Sequence, residues 1–179
     1  MSRARLIHLN GPPGIGKSTL ARRYAAEHAG VLLCDVDVLR TMIGGWQEDD
    51  GAAGRARTAA LALITGYLGT GHDVVLPQLV ARDDQLSRFT AAARAAGAGH
   101  VHVMLTADTE TLLRRFHGRA EAARDEWTAY ATSLWAEQGG DDALVSLSAR
   151  LDAFPAVRVT STDPATTYAG LLVALGEHV

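Results

Sequence analysis

The sequence predicts one α/β domain in which a parallel sheet is covered by helices on both faces. Short runs rich in leucine and valine alternate with longer helical stretches, and this alternation is typical of such a sheet. The length of 179 residues is close to that of one domain. Hydrophobic residues make up 47% of the chain, enough to bury a substantial core. We therefore expect residues 1–179 to form a single domain.

Five segments are predicted as strands because each is short and apolar, and turn residues or acids follow most of them. In chain order they are Leu6–Asn10, Val31–Asp35, Asp73–Pro77, His100–Thr106 and Val157–Thr160. Each connection is long enough for a right-handed crossover between parallel strands.

Helices are predicted between these strands. They cover Ser18–Ala29, Arg55–Gly69, Asp83–Ala96 and Asp108–Gly118, with Asp108 as the N-cap of the last. Asp163 followed by Pro164 is an N-cap with proline at the first helical position, so a closing helix is predicted over Pro164–His178. Residues 111–153 lack a strand pattern and carry many arginines and acids, which predicts two or three helices outside the sheet that could act as a mobile lid. The glycine-rich and acidic stretch Gly44–Gly54 is predicted as a loop on the same edge.

The overall charge argues against a function based on a broad nucleic-acid-binding or lipid-binding surface. The formal net charge is −3, so no extended positive field is expected and any polyanion must be held by a local site. Cys34 is the only cysteine and cannot form an intramolecular disulfide, which fits a reducing cytoplasm. No stretch has the length of a signal-peptide core or a membrane span. His100 and His102 share a strand face without a third ligand nearby in sequence, so a zinc site is not expected.

Residues 11–18 carry the strongest motif. Their G-x4-G-K-S spacing, between a predicted strand and a predicted helix, is that of a phosphate-binding loop, or P-loop. Glycines there allow torsions and close approach that a Cβ would block, and the backbone N–H groups cradle phosphates at the helix N-terminus. Lys17 would reach the β- and γ-phosphates, and the Ser18 hydroxyl suits Mg²⁺. The alternative is a glycine-rich turn that binds nothing. The predicted nucleotide-binding residues here are Gly11, Gly14, Ile15, Gly16, Lys17, Ser18 and Thr19.

Two further observations distinguish among proteins with this loop. The sequence contains no N-K-x-D motif for guanine. The third predicted strand runs into Pro77-Gln78, where motor-type ATPases usually place an acid. The acids stand instead at the end of the second strand, as Asp35 and Asp37, with Arg40 three residues later.

Over Leu6–Met42 the chain resembles the small P-loop kinases, the group that contains gluconate kinase, shikimate kinase, chloramphenicol phosphotransferase and the polynucleotide 5′-kinases. The resemblance implies a P-loop NTPase fold with a five-stranded parallel sheet in the order 2-3-1-4-5. It also implies that Asp35 holds a water of the Mg²⁺ shell, that Asp37 accepts the proton of the acceptor hydroxyl, and that Arg40 orients the acceptor or its anionic group. The alternative is that Asp37 only caps a short helix over Val38–Ile43, with Arg40 solvated on its surface.

Arg115 and Arg119 are four residues apart and project from one helical face. Adenylate-type and gluconate-type kinases open their lid with an R-x3-R element, and the similarity implies that Arg115 stacks on adenine while Arg119 clamps the transferring phosphates. A solvated basic helix face would have the same pattern. Arg114 and Arg124 would replace the pair if the register differs.

The acceptor side is less well defined by sequence. Gln78 and Arg82 follow the third strand and are expected to bind the acceptor, while Trp46 and Glu48 lie on a loop that could close over it. Trp46 could equally be a packing residue, and Arg82 could merely begin a helix.

Three functions are compatible with these features. The preferred one is an ATP- and Mg²⁺-dependent kinase for a small-molecule hydroxyl, such as that of a sugar acid, an antibiotic or a nucleoside. The second is a polynucleotide 5′-hydroxyl kinase, against which the negative charge counts. The third is a module that senses ATP without transferring phosphate. The sequence leaves the acceptor and the oligomeric state open.

Overall fold

The centre of the molecule is a five-stranded, all-parallel sheet in the order β2-β3-β1-β4-β5. The structure is a computed structural model, and it describes residues 3–121 and 126–177. The strands are β1 (Arg5–Asn10), β2 (Leu32–Leu33), β3 (Val74–Pro77), β4 (Gly99–Thr106) and β5 (Val157–Thr160). The predicted fold class and strand order are therefore confirmed, and β2 is shorter than predicted.

Helices cover both faces of the sheet. Within the described residues they are α1 (Lys17–Glu27), α2 (Val36–Thr41), α3 (Ala52–Leu68), α4 (Asp83–Ala95), α5 (Thr109–Glu121), α6 (Glu126–Glu137), α7 (Gly140–Leu151) and α8 (Pro164–Ala174). No helix in this part of the chain is long and apolar enough to cross a membrane.

Both predicted N-caps are present. The Asp108 carboxylate accepts a hydrogen bond from the Thr111 N–H at 2.8 Å. The Asp163 carboxylate accepts from two N–H groups of α8, each at 3.0 Å, with Pro164 at the start of the helix. Helix α8 ends at Ala174, earlier than predicted, and His178 lies outside the described residues.

Each face of the sheet has its own apolar core. On one face, the inward residues of β1, β3 and β4 pack with α1, α5 and α8; Ile7, Val75 and Val103 are fully buried there. On the other face, β1 and β3 pack with α3 and α4, where Ala56 and Ala60 are also fully buried. Because β1 is buried on both sides, the loop that follows it starts from a rigid base.

The described residues of the segment 111–153 form helices, as predicted, but they do not all lie outside the core. Leu112 and Phe116 of α5 and Leu144 of α7 belong to the same buried cluster as Ile7. The reason is the apolar spacing of α5, which places Leu112 and Phe116 one turn apart on one face. Of the described residues in this segment, Arg119 of α5 and Glu126, Trp127 and Thr128 of α6 line a cleft beside the loop that follows β1.

Candidate nucleotide and acceptor site

The loop between β1 and α1 requires its glycines for both torsion and space. Gly11, Gly14 and Gly16 have φ values of 143°, 79° and 105°, a region that side chains rarely adopt. A Cβ on Gly14 would stand 3.1 Å from the Cα of Phe116, and one on Gly11 would stand 2.8 Å from the carbonyl oxygen of Leu105. The loop is therefore held directly against β4 and α5.

Lys17 lies folded over this loop. Its Nζ donates hydrogen bonds to the carbonyl oxygens of Gly11 at 2.8 Å and Pro12 at 2.9 Å. Burial lowers the pKa of Lys17 to about 8, although the negative charge of Asp37 opposes the shift. Because α1 begins at Lys17, the N–H groups of its first turn have no carbonyl partner one turn earlier in the helix. Together these groups form an anion site that a phosphate can complete.

The two acids after β2 have different positions. The Asp35 carboxylate accepts a hydrogen bond from the Asp37 N–H at 3.1 Å and is the N-cap of α2. The alternative that Asp37 caps the helix is therefore wrong, and the helix begins at Val36 rather than at Val38. The physical reason is that β2 ends at Leu33, which leaves Asp35 in the extended conformation that an N-cap needs.

The Asp37 carboxylate lies among cations. It shares a cleft with Lys17, Arg119 and the indole of Trp127. Burial, followed by the charge of Asp35, raises the pKa of Asp37 to about 6, while Lys17 and Arg119 lower it. A carboxylate with a pKa just below neutrality can accept a proton at physiological pH.

The cleft that collects these groups has a volume of about 720 Å³, which is typical of a small-ligand site. The site residues predicted from the sequence that line this cleft are Gly14, Gly16, Lys17, Ser18, Thr19, Asp35, Asp37 and Arg119. Its remaining described lining, which the sequence did not indicate, consists of Arg22, Val38, Thr41, Pro77, Glu126, Trp127 and Thr128.

A second cavity, of about 300 Å³, lies on the other side of the loop and is lined by Arg115 together with Ile15, Ser161 and Thr162. Arg115 donates to the Ser161 hydroxyl at 2.7 Å and to the Thr162 carbonyl. The Ser161 hydroxyl in turn donates to the Ile15 carbonyl at 2.9 Å. This network ties the loop to the end of β5.

The structure thus separates the predicted arginine pair. Arg115 lines the smaller cavity and Arg119 lines the larger cleft, one helical turn away. Arg114, by contrast, is exposed and pairs with Glu110 at 3.5 Å. Arg124 lies outside the described residues.

Arg40 is enclosed by aromatic rings. Its guanidinium carbon lies 5.0 Å from the ring centroid of Tyr130, 5.2 Å from that of Trp127 and 5.6 Å from that of Trp46. Its Nη2 donates to the Tyr130 hydroxyl at 3.1 Å. Trp46 is only 6% exposed and packs rather than facing the cleft. We call Trp46, Trp127 and Tyr130 the aromatic box. Arg40 is not among the described residues that line the cleft.

Gln78, Arg82 and Glu48 are also not brought to the described lining of the cleft. The Gln78 side chain donates to the carbonyl of Leu79 at 3.1 Å. Arg82 is exposed at the start of α4 and pairs with Asp84 at 2.9 Å. Glu48 is exposed on its loop.

Asn10 is a residue of the site that sequence reasoning missed. Its side chain is fully buried at the end of β1. The side-chain carbonyl accepts from the N–H groups of Gly11 at 2.8 Å and Val80 at 3.0 Å, and the side-chain amide donates to the Val80 carbonyl at 2.8 Å. Asn10 therefore fastens the phosphate loop to the segment after β3. The available signal was a polar residue at the last position of a buried strand.

Replacing Asn10 with alanine should destabilise the protein, because two N–H groups and one carbonyl lose buried partners. We expect a loss of about 3 kcal/mol in the free energy of unfolding, measured by urea denaturation. The exposed Gln138→Ala serves as the control and should change this energy by less than about 0.5 kcal/mol. A loss below about 1 kcal/mol for Asn10→Ala would contradict the role given to this side chain.

The histidines form a stack that the sequence did not reveal. His8 of β1 supplies a third ring, with centroids 5.8 Å from His100 and 5.0 Å from His102. Burial lowers the pKa of His8 to about 3, so its ring is neutral. Within residues 3–121 and 126–177, no group of three or more histidine, cysteine or acidic side chains could hold a metal ion.

Burial also raises the pKa of the Cys34 thiol to about 12, as expected of an unreactive core cysteine.

Comparison with known proteins relates this geometry to one family. The sequence profile of the AAA domain family matches residues 6–138, which include the loop, both acids and the arginine pair. The bifunctional pantoate ligase/cytidylate kinase of Synechococcus sp. (strain WH7803) is 33% identical over 66 residues, or 37% of this chain. The match spans 13% of the length of that curated relative.

Solved structures share the fold over nearly the whole chain. The tunicamycin resistance protein of Deinococcus radiodurans is 15% identical, with a TM-score of 0.66 over 98% of both chains. A gluconokinase from Sinorhizobium meliloti 1021 is 17% identical, with a TM-score of 0.61 over 98% of this chain and 94% of the other. At these identities the likeness shows a kinase-like P-loop fold and leaves the acceptor undetermined.

Proposed function

The chain belongs to the AAA domain family, and from this membership and the geometry of the cleft we propose that it is an ATP-dependent phosphotransferase acting on a hydroxyl of a small molecule. The observation that carries the proposal is that Lys17, Asp37 and Arg119 line one cleft together with the phosphate loop. Phosphoryl transfer depends on positioning and on neutralising charge, and these three side chains supply a carboxylate and two cations at one place.

The nucleotide would bind across the two cavities. Its phosphates would lie on the N–H groups from Gly14 to Ser18, next to Gly11 and Thr19, where α1 begins. Lys17 would exchange its two loop carbonyls for the β- and γ-phosphates. Adenine would occupy the cavity of about 300 Å³ beside Arg115.

The donor set fits Mg²⁺. Ser18 and Asp35 place a hydroxyl and a carboxylate in the same cleft, and both are oxygen ligands of the kind that Mg²⁺ prefers. Since the described residues contain no complete metal cluster, the phosphates and water would supply the other ligands. When bound, the ion would neutralise charge on the β- and γ-phosphates.

The remaining roles follow from position. Asp37 would accept the proton of the acceptor hydroxyl, and Arg119 would balance charge on the transferring group. Acceptor contacts are assigned to Val38 and Trp127 in the cleft lining, in place of Arg40, Gln78 and Arg82. Because α5 and α7 bury leucines in the main core, we also infer that residues 1–179 act as one kinase domain.

Acceptor-dependent ADP release tests the proposal. The purified protein with MgATP is screened against pooled metabolites, aminoglycosides, nucleosides and 5′-hydroxyl oligonucleotides. We expect release to rise with at least one small-molecule pool. MgATP binding without stimulation by any pool would favour a nucleotide-sensing module instead. Stimulation by oligonucleotides alone, with a steep salt dependence, would favour a polynucleotide kinase.

Arg119→Ala should lower kcat by about thirtyfold. This factor is smaller than the fall in kcat on removing a typical arginine finger, because Lys17 still places one positive charge at the phosphates. Arg114→Ala on the same helix is the control, since Arg114 is exposed and pairs with Glu110. Steady-state kinetics with saturating MgATP measure both variants. Equal kcat values for Arg119→Ala and Arg114→Ala would remove Arg119 from the site.

A further inference from the structure

Positive charge collects where α2, α3 and α4 meet. These helices pack on one apolar core through Val36, Ala56 and Phe89, all of which are buried. Four arginines stand on the same elements: Arg40 on α2, Arg57 on α3, Arg82 at the N-cap of α4 and Arg88 within α4. Because the helices converge, Asp37 and the other three arginines all lie close enough to act electrostatically on Arg57.

The acids of this region do not neutralise the group. Asp84 already pairs with Arg82, and Asp49 already pairs with Arg55 of α3. In the part of the chain that the structure describes, three of the arginines have no carboxylate within ion-pair distance: Arg40, Arg57 and Arg88. An excess of positive charge therefore remains beside Asp37, the base of the proposed reaction.

Arg57 is half-buried within this excess of charge. Burial, followed by the positive charges of Arg40 and Arg88, lowers the pKa of the Arg57 guanidinium, while Asp37 opposes the shift. An arginine nevertheless keeps its proton at neutral pH, so the folded chain carries the repulsion between these guanidinium groups. An anion bound to Arg57 would relieve the repulsion and accept charge-assisted hydrogen bonds from its planar fork of N–H donors.

Arg40 adds a fixed positive charge next to Asp37, which lies three residues earlier on α2. Its guanidinium is enclosed by the aromatic box, and its Nε is buried without a hydrogen-bond partner among the described residues. Aromatic faces attract a cation but carry no net charge that could neutralise it. The positive field of Arg40 therefore acts on any group that binds near Asp37, because charges in a partly enclosed site are weakly screened.

We propose that the acceptor carries an anionic group, a carboxylate or a phosphate, which binds Arg57 while the acceptor hydroxyl faces Asp37. This inference rests on the proposed function, since it concerns the acceptor of that reaction. Arg57 is not among the described residues that line the cleft, so the anionic group would lie just beyond Asp37, on the side of α3. The hydroxyl oxygen would bond to the γ-phosphorus as the bond from that phosphorus to ADP breaks, and the hydroxyl proton would pass to Asp37.

Matched pairs of acceptors test the charge requirement. Sugars are compared with their sugar acids and hydroxy amides with the corresponding hydroxy acids, while nucleosides are compared with their 3′-monophosphates, by ADP release under MgATP. In the carboxylate pairs or in the phosphate pairs, we expect the anionic member to have a kcat/KM at least about tenfold higher, and the responding pairs identify the group that binds. Equal or higher kcat/KM for the uncharged members of all pairs would overturn this inference and leave the kinase assignment standing. Turnover of no compound would count against both.

Arg57→Gln should lower the ratio of kcat/KM between anionic and uncharged members by about tenfold or more, because it removes the charge that pairs with the anionic group. Arg57→Lys keeps the charge and should retain part of the preference. Arg55→Gln is the matched control, since Arg55 lies on the same helix, has a side chain that is 56% exposed and pairs with Asp49. The KM for MgATP should stay within about twofold in all three variants. An unchanged ratio in Arg57→Gln would overturn the role given to Arg57.

Thermal unfolding separates this role from a structural one. Without an acceptor, Arg57→Gln should not lower the Tm by more than about 2 °C, because the substitution removes repulsion from three other arginines. The anionic acceptor with the highest kcat/KM in the matched pairs, added at saturation, should raise the Tm of the unsubstituted protein more than that of Arg57→Gln. A larger fall in Tm without acceptor, or equal stabilisation of both proteins by it, would assign Arg57 to the fold and overturn the inference.

Discussion

Asp37→Asn should lower the rate of phosphoryl transfer by about a thousandfold while the Kd for MgATP changes by less than about threefold. The expected size is that of a general base lost from a reaction that keeps its positioning and cations. Asparagine retains the shape of the side chain and can still contact Trp127, so the cleft should keep its geometry. Single-turnover transfer and equilibrium binding, measured on the same protein, separate the two effects.

The pH dependence gives a second readout of the same group. The pKa of Asp37 is raised to about 6, and a base acts in its deprotonated form. For the unsubstituted chain, kcat/KM should therefore fall as the pH drops through about 6, and Asp37→Asn should lack this fall. Asp142→Asn, an exposed acid in the first turn of α7, is the control. Unchanged transfer in Asp37→Asn would refute the base assignment.

Lys17→Ala should weaken MgATP binding by about a hundredfold and lower kcat/KM further. The variant loses a cation that would make charge-assisted contacts with two phosphates. It also removes the two hydrogen bonds to the Gly11 and Pro12 carbonyls. Isothermal titration with MgATP measures the affinity, and a Kd within threefold of the unsubstituted value would contradict the proposed phosphate site.

Lys17 is the only lysine in the sequence, which allows its pKa to be measured directly. Because the pKa of Lys17 is lowered to about 8, amine-specific modification should rise with a midpoint near that pH, well below that of an ordinary lysine. MgATP should protect Lys17 and leave the α-amino group reactive. Modification of Lys17 that MgATP does not slow would place the phosphates away from it.

The fold and the phosphate loop could be predicted because their signals are local. The run from Gly11 to Ser18 needs only the neighbouring strand and helix to identify it. The strand order was implied by the resemblance to the small P-loop kinases, and the apolar runs of β1 and β3 are buried on both faces of the parallel sheet. Asp35 and Asp37 were expected at the end of the second strand; β2 ends at Leu33, and both side chains line the cleft from the start of α2, since the carboxyl ends of parallel strands share one edge.

The acceptor side could not be predicted because it is built by distant segments. Arg40 meets Tyr130, which is 90 residues away in sequence, and no local pattern near either residue indicates the aromatic box. The role of Asp35 as the cap of α2 depended on where β2 ends, a boundary that sequence patterns locate poorly. Arg82 was expected in the cleft because it follows β3, whereas it lies at the start of α4 and pairs with Asp84 there.

The most direct test of the central claim is a crystal structure of the protein with Mg²⁺ and a non-hydrolysable ATP analogue. We expect the β- and γ-phosphates on the N–H groups from Gly14 to Ser18, and the Asp37 carboxylate facing the γ-phosphorus across a gap that holds one hydroxyl group. A γ-phosphate bound elsewhere, or an Asp37 carboxylate directed away from it, would contradict the proposed transfer to an alcohol.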